Sequence, residues 1–329
     1  MKKLFIIISL GISLIAKSQV DPHFSQYYMH PLWLNPALTG AINGDYRVCA
    51  INRNQWGSIT NSFTTVGVTG DITTSKEINF GLNILQESAG DAGFKYQNAQ
   101  GSISYSGIHF GKEGLKTISF GLQGGLINRH FDFSKLQGAT QFKDYYGFDP
   151  SLSLNESFSN KSVTVFDMSA GLAYYDADQD KKVNIFGGLS AAHINQPKDP
   201  FFSTSTQSTI PMRMALHGGA RIVVSDVASL VPNFVYVYQG NTYEFMAGGY
   251  AQYTLSDLID VMAGVNYRYK DAFYPYLGLN FNSLIVGLSY DVNASNLGQA
   301  AKGVSSYEFS LMYTNRKGSD KGYFKCPRF

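Results

Sequence analysis

Six ionisable side chains fall on the polar side of an apolar–polar alternation: Arg213, His217 and Arg221 in one run, and Glu244, Arg268 and Glu308 in three others. Successive side chains of an extended strand point to opposite faces. Arg213 and His217 therefore oppose Met212, Met214 and Leu216, and the same face continues to Arg221. Charges gathered on the inner face of a closed sheet can do two things. They can pair across the interior and brace it, or they can line a path or hold a docked segment. Catalysis is not indicated. The histidines at 23, 30, 109, 130, 193 and 217 form no HExxH or other metal spacing, and no GxSxG elbow occurs. Asp178-Gln179-Asp180 resembles part of a calcium loop but lacks the following Gly and the distal Glu, so it reads as a solvated turn. Asp144-Tyr145-Tyr146 with Asp149 reads as an acidic, solvent-facing loop. No catalytic, metal or cofactor residue is assigned. Cys49 and Cys326 are too far apart in sequence for a zinc spacing; a disulfide between them is allowed but not indicated.

The elements that must carry these charges have a period of two. Ile78, Phe80, Leu82 and Ile84 alternate with Asn79, Gly81 and Asn83; Ile118, Phe120 and Leu122 alternate with Ser119, Gly121 and Gln123. Phe273, Leu277, Leu279 and Phe281 face away from Tyr276, Asn280 and Asn282, and Tyr307, Phe309, Leu311 and Tyr313 oppose Ser306, Glu308 and Ser310. About fourteen such segments lie near 46–53, 63–72, 77–86, 94–107, 117–128, 163–175, 183–192, 211–224, 228–238, 243–254, 260–269, 273–282, 284–291 and 304–315. Most hold about ten residues, the length of a tilted membrane strand. The fold expected is all-β: a transmembrane antiparallel up-and-down barrel over 46–316, preceded by a short irregular segment, 19–45.

Residues 1–18 read as a signal peptide. Lys2 and Lys3 are its positive region, Leu4 to Ala16 its apolar stretch and Ala16-Lys17-Ser18 its small-x-small cleavage site. Mature chain is then expected from about Gln19, outside the cytoplasm. Charged residues make up 15% of the 329, with a net charge of +2, so neither a basic nucleic-acid surface nor an acidic tail is expected. Mean hydropathy is −0.11, which does not exclude a barrel, because alternating faces average out.

The connections provide a second test. With residue 46 on the periplasmic side, the three longest connections, about 129–162, 193–210 and 292–303, all fall at the exterior end. Thr73-Thr74-Ser75-Lys76, Ser225-Asp226-Val227 and the turn at Asn282-Ser283 fall at the other. Long outer loops and short periplasmic turns belong to this class of barrel, although 239–242 and 270–272 are short exterior connections. A soluble β-sandwich is the competing fold. It would bury its apolar face in a core and would not need aromatic clusters at strand ends such as Tyr174-Tyr175, Tyr236, Tyr238, Tyr267, Tyr269 and Tyr313, which fit interface girdles.

Both ends of the mature chain carry a family likeness. DPHFSQYYMHPLWLNPALTG (Asp21–Gly40) resembles the N-terminal signature of the PorP/SprF family of type IX secretion system membrane proteins of Bacteroidetes, and RNQW (Arg53–Trp56) resembles its next motif. LSYDVN (Leu288–Asn293), SYEFSLMY (Ser306–Tyr313) and the terminal CPRF (Cys326–Phe329) resemble its C-terminal blocks. Gly57 follows Trp56 where that family often carries Pro. The resemblance implies an outer-membrane barrel working with secretion and gliding machinery, without cofactor. Its implied partners are outer-membrane lipid and the C-terminal domain of a secreted adhesin that it helps to export or hold at the surface.

The residues themselves add a mechanical expectation. Segment 19–45 is apolar, aromatic and broken by Pro22, Pro31 and Pro36, so it needs a surface to cover. It would plug the barrel from below or lie on its periplasmic mouth. Phe24, Tyr27, Tyr28, Leu32, Trp33 and Leu34, with Arg53 and Trp56, are the contacts expected there. Those contacts serve either internal packing alone or periplasmic secretion components. The tail 317–329 runs past the last strand, where its terminal Phe could act in barrel assembly. Three functions compete: a binding and export module, a small-molecule channel lined by the inward polar faces, and an outer-membrane hydrolase.

Overall fold

The computed structural model describes residues 21–56, 62–90, 93–132, 135, 138–143, 147–152, 161–178, 180–198, 209–294 and 305–315. The leader, Gln19, the loop Asp144–Tyr146, the tail 317–329 and Cys326 lie outside them.

Strands β1 (Tyr46–Gln55), β2 (Phe63–Ile72), β3 (Ile78–Ala89), β4 (Phe94–Phe110) and β5 (Lys116–His130) are followed by a two-residue hairpin, β6 (Phe142–Lys143) and β7 (Gly147–Phe148). Then come β8 (Ser162–Asp176), β9 (Val183–Ala192), β10 (Arg213–Ser225), β11 (Ala228–Gln239), β12 (Thr242–Ser256), β13 (Ile259–Arg268), β14 (Ala272–Phe281), β15 (Leu284–Asn293) and β16 (Ser305–Thr314). All but β6 and β7 form one closed antiparallel ring of fourteen strands in sequence order. The seam is β1 on β16, in register from Arg47↔Thr314 to Gln55↔Ser306. Closure removes both sheet edges, so the strand backbones satisfy one another without water. A single ring also disposes of the sandwich alternative.

The two faces of the ring invert the pattern of a soluble protein. Outward positions carry apolar side chains left open, such as Leu122 at 60% and Leu277 at 63% exposure. Inward positions bury Thr69, Asn83, Ser102, Ser119, Asn280 and Ser310. An outward apolar belt over a polar lumen is stable only where hydrocarbon is the outer solvent. Tyr236, Tyr238, Tyr269 and Tyr313 stand outward and exposed. Tyr175 does not belong to a girdle: it points inward and is buried against the N-terminal segment's apolar cluster. It is one step out of phase with Tyr174, and period two sends adjacent residues to opposite sides. Asn282 likewise sits in the β14–β15 turn, with φ 58°, and not on the strand's inner face.

The connections divide the ring into unlike ends. At one end lie 56–62, 90–93, 131–161, 193–212, 240–241, 269–271 and 294–304; at the other lie 73–77, 111–115, 177–182, 226–227, 257–258 and 282–283. Residues 21–45 fold into the ring as three short turns, Tyr27–Met29, Pro31–Leu34 and Pro36–Leu38. Pro31 and Pro36 each open a turn at its first position, where the missing N–H costs nothing. Their spacing stops the turns from merging into one helix, which leaves an irregular plug.

Candidate functional site

The plug is held by side chains from around the ring. At the short-turn end Gly40 N donates to Asp71 at 2.7 Å, while Arg47 pairs with Asp71 at 2.9 Å and donates to the Leu38 carbonyl at 3.0 Å. Higher up, the strand hydroxyls of Ser104, Ser119 and Ser190 donate to the carbonyls of Thr39, Ala37 and Leu34 at 2.6–2.7 Å. Asn35 Nδ2 donates to the Leu172 carbonyl at 3.0 Å and lies 3.1 Å from His217 Nε2, while its Oδ1 accepts from Ala37 N. An irregular segment leaves carbonyls and amides without ladder partners, and each must find one when buried. The small hydroxyls on the inner strand faces meet that need. Apolar contact completes the seat: Tyr28 packs its ring 6.0 Å from that of Tyr250 and 5.8 Å from that of Tyr276.

An ion cluster clamps the start of the plug near the long-connection end. Both Glu308 carboxylate oxygens accept backbone N–H groups, from Ser25 at 2.6 Å and Gln26 at 2.8 Å. Arg53, fully buried, pairs with Glu308 and with Asp291 and donates to Ser25 Oγ. Arg268 binds Asp291 at 2.9 Å and Asp271 at 2.6 Å, with Glu244 at 3.7 Å. A second clamp lies across the mouth. His193 places Nε2 2.8 Å from Asp21 and Nδ1 2.8 Å from Asp167, while Arg213 lies 3.7 Å from Asp21, donates to the Trp33 carbonyl at 2.6 Å and stacks over the Trp33 ring at 4.4 Å. Burial by itself would raise the Asp21 pKa, but His193 and then Arg213 bring it down to about 2. Burial would lower that of His193, and the two carboxylates overcome it, raising the pKa to about 9.

The plug therefore runs the height of the lumen. Gly40 is at the short-turn end beside Asp71, and Asp21 is at the long-connection end beside His193. Above Asp21 a vestibule of about 470 Å³ is left at the mouth, floored by the plug and walled by β10 to β13 and the β13–β14 connection.

Of the residues singled out from sequence, Phe24, Tyr28, Leu32 and Leu34 are buried within the ring and Tyr27 and Trp33 half-buried. Arg53 joins them from β1 through Ser25. Trp56 stands apart, past the end of β1, with its ring 5.0 Å from that of Phe63. Arg213, His217, Glu244, Arg268 and Glu308 converge on the plug or its ion clusters; Arg221 lies further down β10, half-buried. Sequence reasoning missed Arg47, Asp71, Asp291, Asp167 and His193. The first four alternate with apolar neighbours and were legible by the same rule. His193 lies just past the end of β9, with φ 56°, and no pattern marks it. Among the described residues no group of His, Cys, Asp and Glu is arranged to hold a metal.

Comparison with known proteins places the fold. The family model described as "Type IX secretion system membrane protein PorP/SprF" matches residues 16–313. No curated protein matches the chain. The toluene transporter TbuX of Ralstonia pickettii is similar over 87% of this chain and 93% of its own, at 9% identity and a TM-score of 0.51. The toluene transporter TodX of Pseudomonas putida is similar over 89% and 94%, at 8% identity and a TM-score of 0.51. Likeness at that identity is one of barrel architecture.

Proposed function

Because the chain belongs to the PorP/SprF family of type IX secretion system membrane proteins, we propose that it serves that system as a plugged docking barrel in the outer membrane. A cleavable leader delivers it there, and its long-connection end faces the exterior. That end helps to export or anchor a secreted adhesin by receiving the adhesin's C-terminal domain. The short-turn end meets periplasmic components of the machinery. One observation carries this reading: the chain's own residues 21–42 fill the lumen, tied to strands all round the ring. A barrel that closes its own bore is suited to holding a partner at its mouth rather than passing solutes.

The test is a deletion strain. Surface labelling should show one or a few adhesins absent from the cell surface while other cargo of the system is still displayed. Unchanged display of every such cargo would refute the role.

The competing reading is a small-molecule channel. It draws support from an apolar groove of about 750 Å³ in the wall at β8 to β12, which shares Phe186, His217, Gly218 and Asn233 with the lumen side. That reading requires steady conductance from purified protein in a planar bilayer, where the plugged barrel stays closed.

A further inference from the structure

The ring is closed, but its strands do not all end together at the long-connection end. β8 stays paired with β5 as far as His130↔Ser162, whereas its pairing with β9 stops at Ala170↔Ala191. Past β9, Ile194 N donates to the Met168 carbonyl at 3.0 Å. The Asn195 side chain then imitates one residue of a strand: its Nδ2 donates to the Phe166 carbonyl at 2.7 Å and its Oδ1 accepts from Met168 N at 3.1 Å. There the chain leaves β8. His193 and Gln196 take φ of 56° and 42°, and the chain pairs with its own return, Lys198↔Thr209, with Ile210 N donating to the Pro197 carbonyl at 2.9 Å. Among the described residues, Ser162 to Phe166 are left with a strand partner on the β5 side alone.

Backbone direction decides which groups that edge presents. In an antiparallel ladder the N–H and C=O of one residue point to the same side, and those of the next residue point to the other. Phe131 N donates to the Lys161 carbonyl, so odd residues at this end of β8 address β5. Even residues address the other side, as Phe166 and Met168 do with Asn195. The N–H groups of Ser162, Thr164 and Phe166 and the carbonyls of Ser162 and Thr164 therefore face the line where β9 has ended. Unpaired backbone is not tolerated in hydrocarbon, so this stretch stands above the lipid, beside Asn128, Arg129 and His130 of β5. Its inner face is anchored: Val163 is buried, and Val165 packs on the core that holds Tyr96 and Ile127. Donors and acceptors repeated at every second residue match another extended backbone. We propose that the Ser162–Phe166 edge receives an extended segment of the protein that docks at the long-connection end, added to β8 in the line that β9 leaves. Its side chains alternate between Val163 and Val165 on the inner face and Thr164 and the exposed Phe166 on the outer, which suits β-branched and aromatic residues. The inference rests on the docking role proposed for that end and adds the mode of contact, strand addition.

Two experiments test this. In the purified, detergent-solubilised protein the Thr164 amide should exchange its hydrogen roughly a hundredfold or more faster than the Val163 and Val165 amides, which are bonded to β5. Protection of Thr164 equal to that of its neighbours overturns the proposal, because the chain itself or a second copy then already covers the edge. The second experiment complements the deletion strain with Thr164→Pro. Proline removes the N–H that faces the open line and blocks an approaching strand. The adhesin that the deletion strain fails to display should stay about tenfold or more below its level with the parent protein, the scale of a strand bond lost and its acceptor left unmade. Ser162→Pro, at the first position of the strand where proline is tolerated, is the second variant should the first fail to assemble, with assembly read from heat-dependent migration. Parent-level display with an assembled proline variant overturns strand addition and leaves the docking role intact. Display that survives the deletion itself removes the docking role and this contact with it.

Discussion

Glu308 is the residue whose loss should unseat the plug. It is 1% exposed on the inner face of β16, and its carboxylate is the acceptor for two consecutive plug amides, Ser25 N at 2.6 Å and Gln26 N at 2.8 Å. Hydrogen bonds to a charged group contribute about 1.5–3 kcal/mol each. The Arg53–Glu308 pair joins two barrel strands and exists whether or not the plug is seated, so the two amide bonds are the differential part. Glu308→Ala should therefore weaken seating by about 3–6 kcal/mol, from two bonds at 1.5–3 kcal/mol each. At 1.4 kcal/mol per tenfold, that raises the unseated fraction roughly a hundred- to ten-thousand-fold. Two assays read this. In planar bilayers the variant should show frequent open events where the parent protein is closed, and in detergent the segment near Ser25 should become sensitive to protease. Glu77→Gln, on an exposed carboxylate at the short-turn end away from the plug, is the control and should behave as the parent. An open-event frequency within threefold of the parent, in a variant whose barrel still resists heat and detergent, would show that the amide clamp does not hold the plug.

Three further outcomes follow from the same geometry. With the His193 pKa raised from about 6.5 to about 9, its contribution to seating is fully present below pH 6.5 and lost as pH rises through 9. The whole shift is worth on the order of 3 kcal/mol, and seating receives only the share due to Asp21, because Asp167 belongs to β8 and stays beside His193 when the plug leaves. Asp21, lowered to about 2, reports the same pair from the acid side: its contribution is present above about pH 3.8 and lost as pH falls through 2. Protease protection of the plug across pH 6 to 10 should decline in the parent and stay flat in His193→Gln; parallel profiles would refute the clamp. Gly121→Val should displace the plug, because any Cβ at Gly121 would meet the Pro36–Ala37 peptide. Overpacking of this kind costs about 1–3 kcal/mol, to be read as protease sensitivity near Ala37 with the ring intact. Leu277→Arg puts a charge on the lipid face of β14 and should destabilise the barrel by roughly 2–4 kcal/mol if it sits at mid-depth, measured by denaturant titration in liposomes; an unchanged midpoint would argue against hydrocarbon at that position.

Much of this molecule is local and was therefore legible in its residues. Alternation such as Ile78–Asn83 or Phe273–Phe281 assigns each side chain to lipid or lumen within one strand, because a pleated backbone allows only two directions. Chain length per strand and the unequal connections gave the count and the two ends, and the sequence block Asp21–Gly40 carried the family likeness. Parity also placed Arg213, His217, Glu244, Arg268 and Glu308 inside. Parity cannot say what an inward charge meets, since its partner comes from another strand or from the plug, far away in sequence: Glu308 and Ser25 are 283 residues apart. Only closure of the ring decided that segment 21–42 runs up the bore instead of lying across its mouth and that Asp21 ends beside His193. Hydrogen-bond demand is the physical reason. An irregular, proline-broken segment exposes amides and carbonyls that find enough partners only where many polar strand faces surround them at once, and that enclosure exists only in the folded barrel.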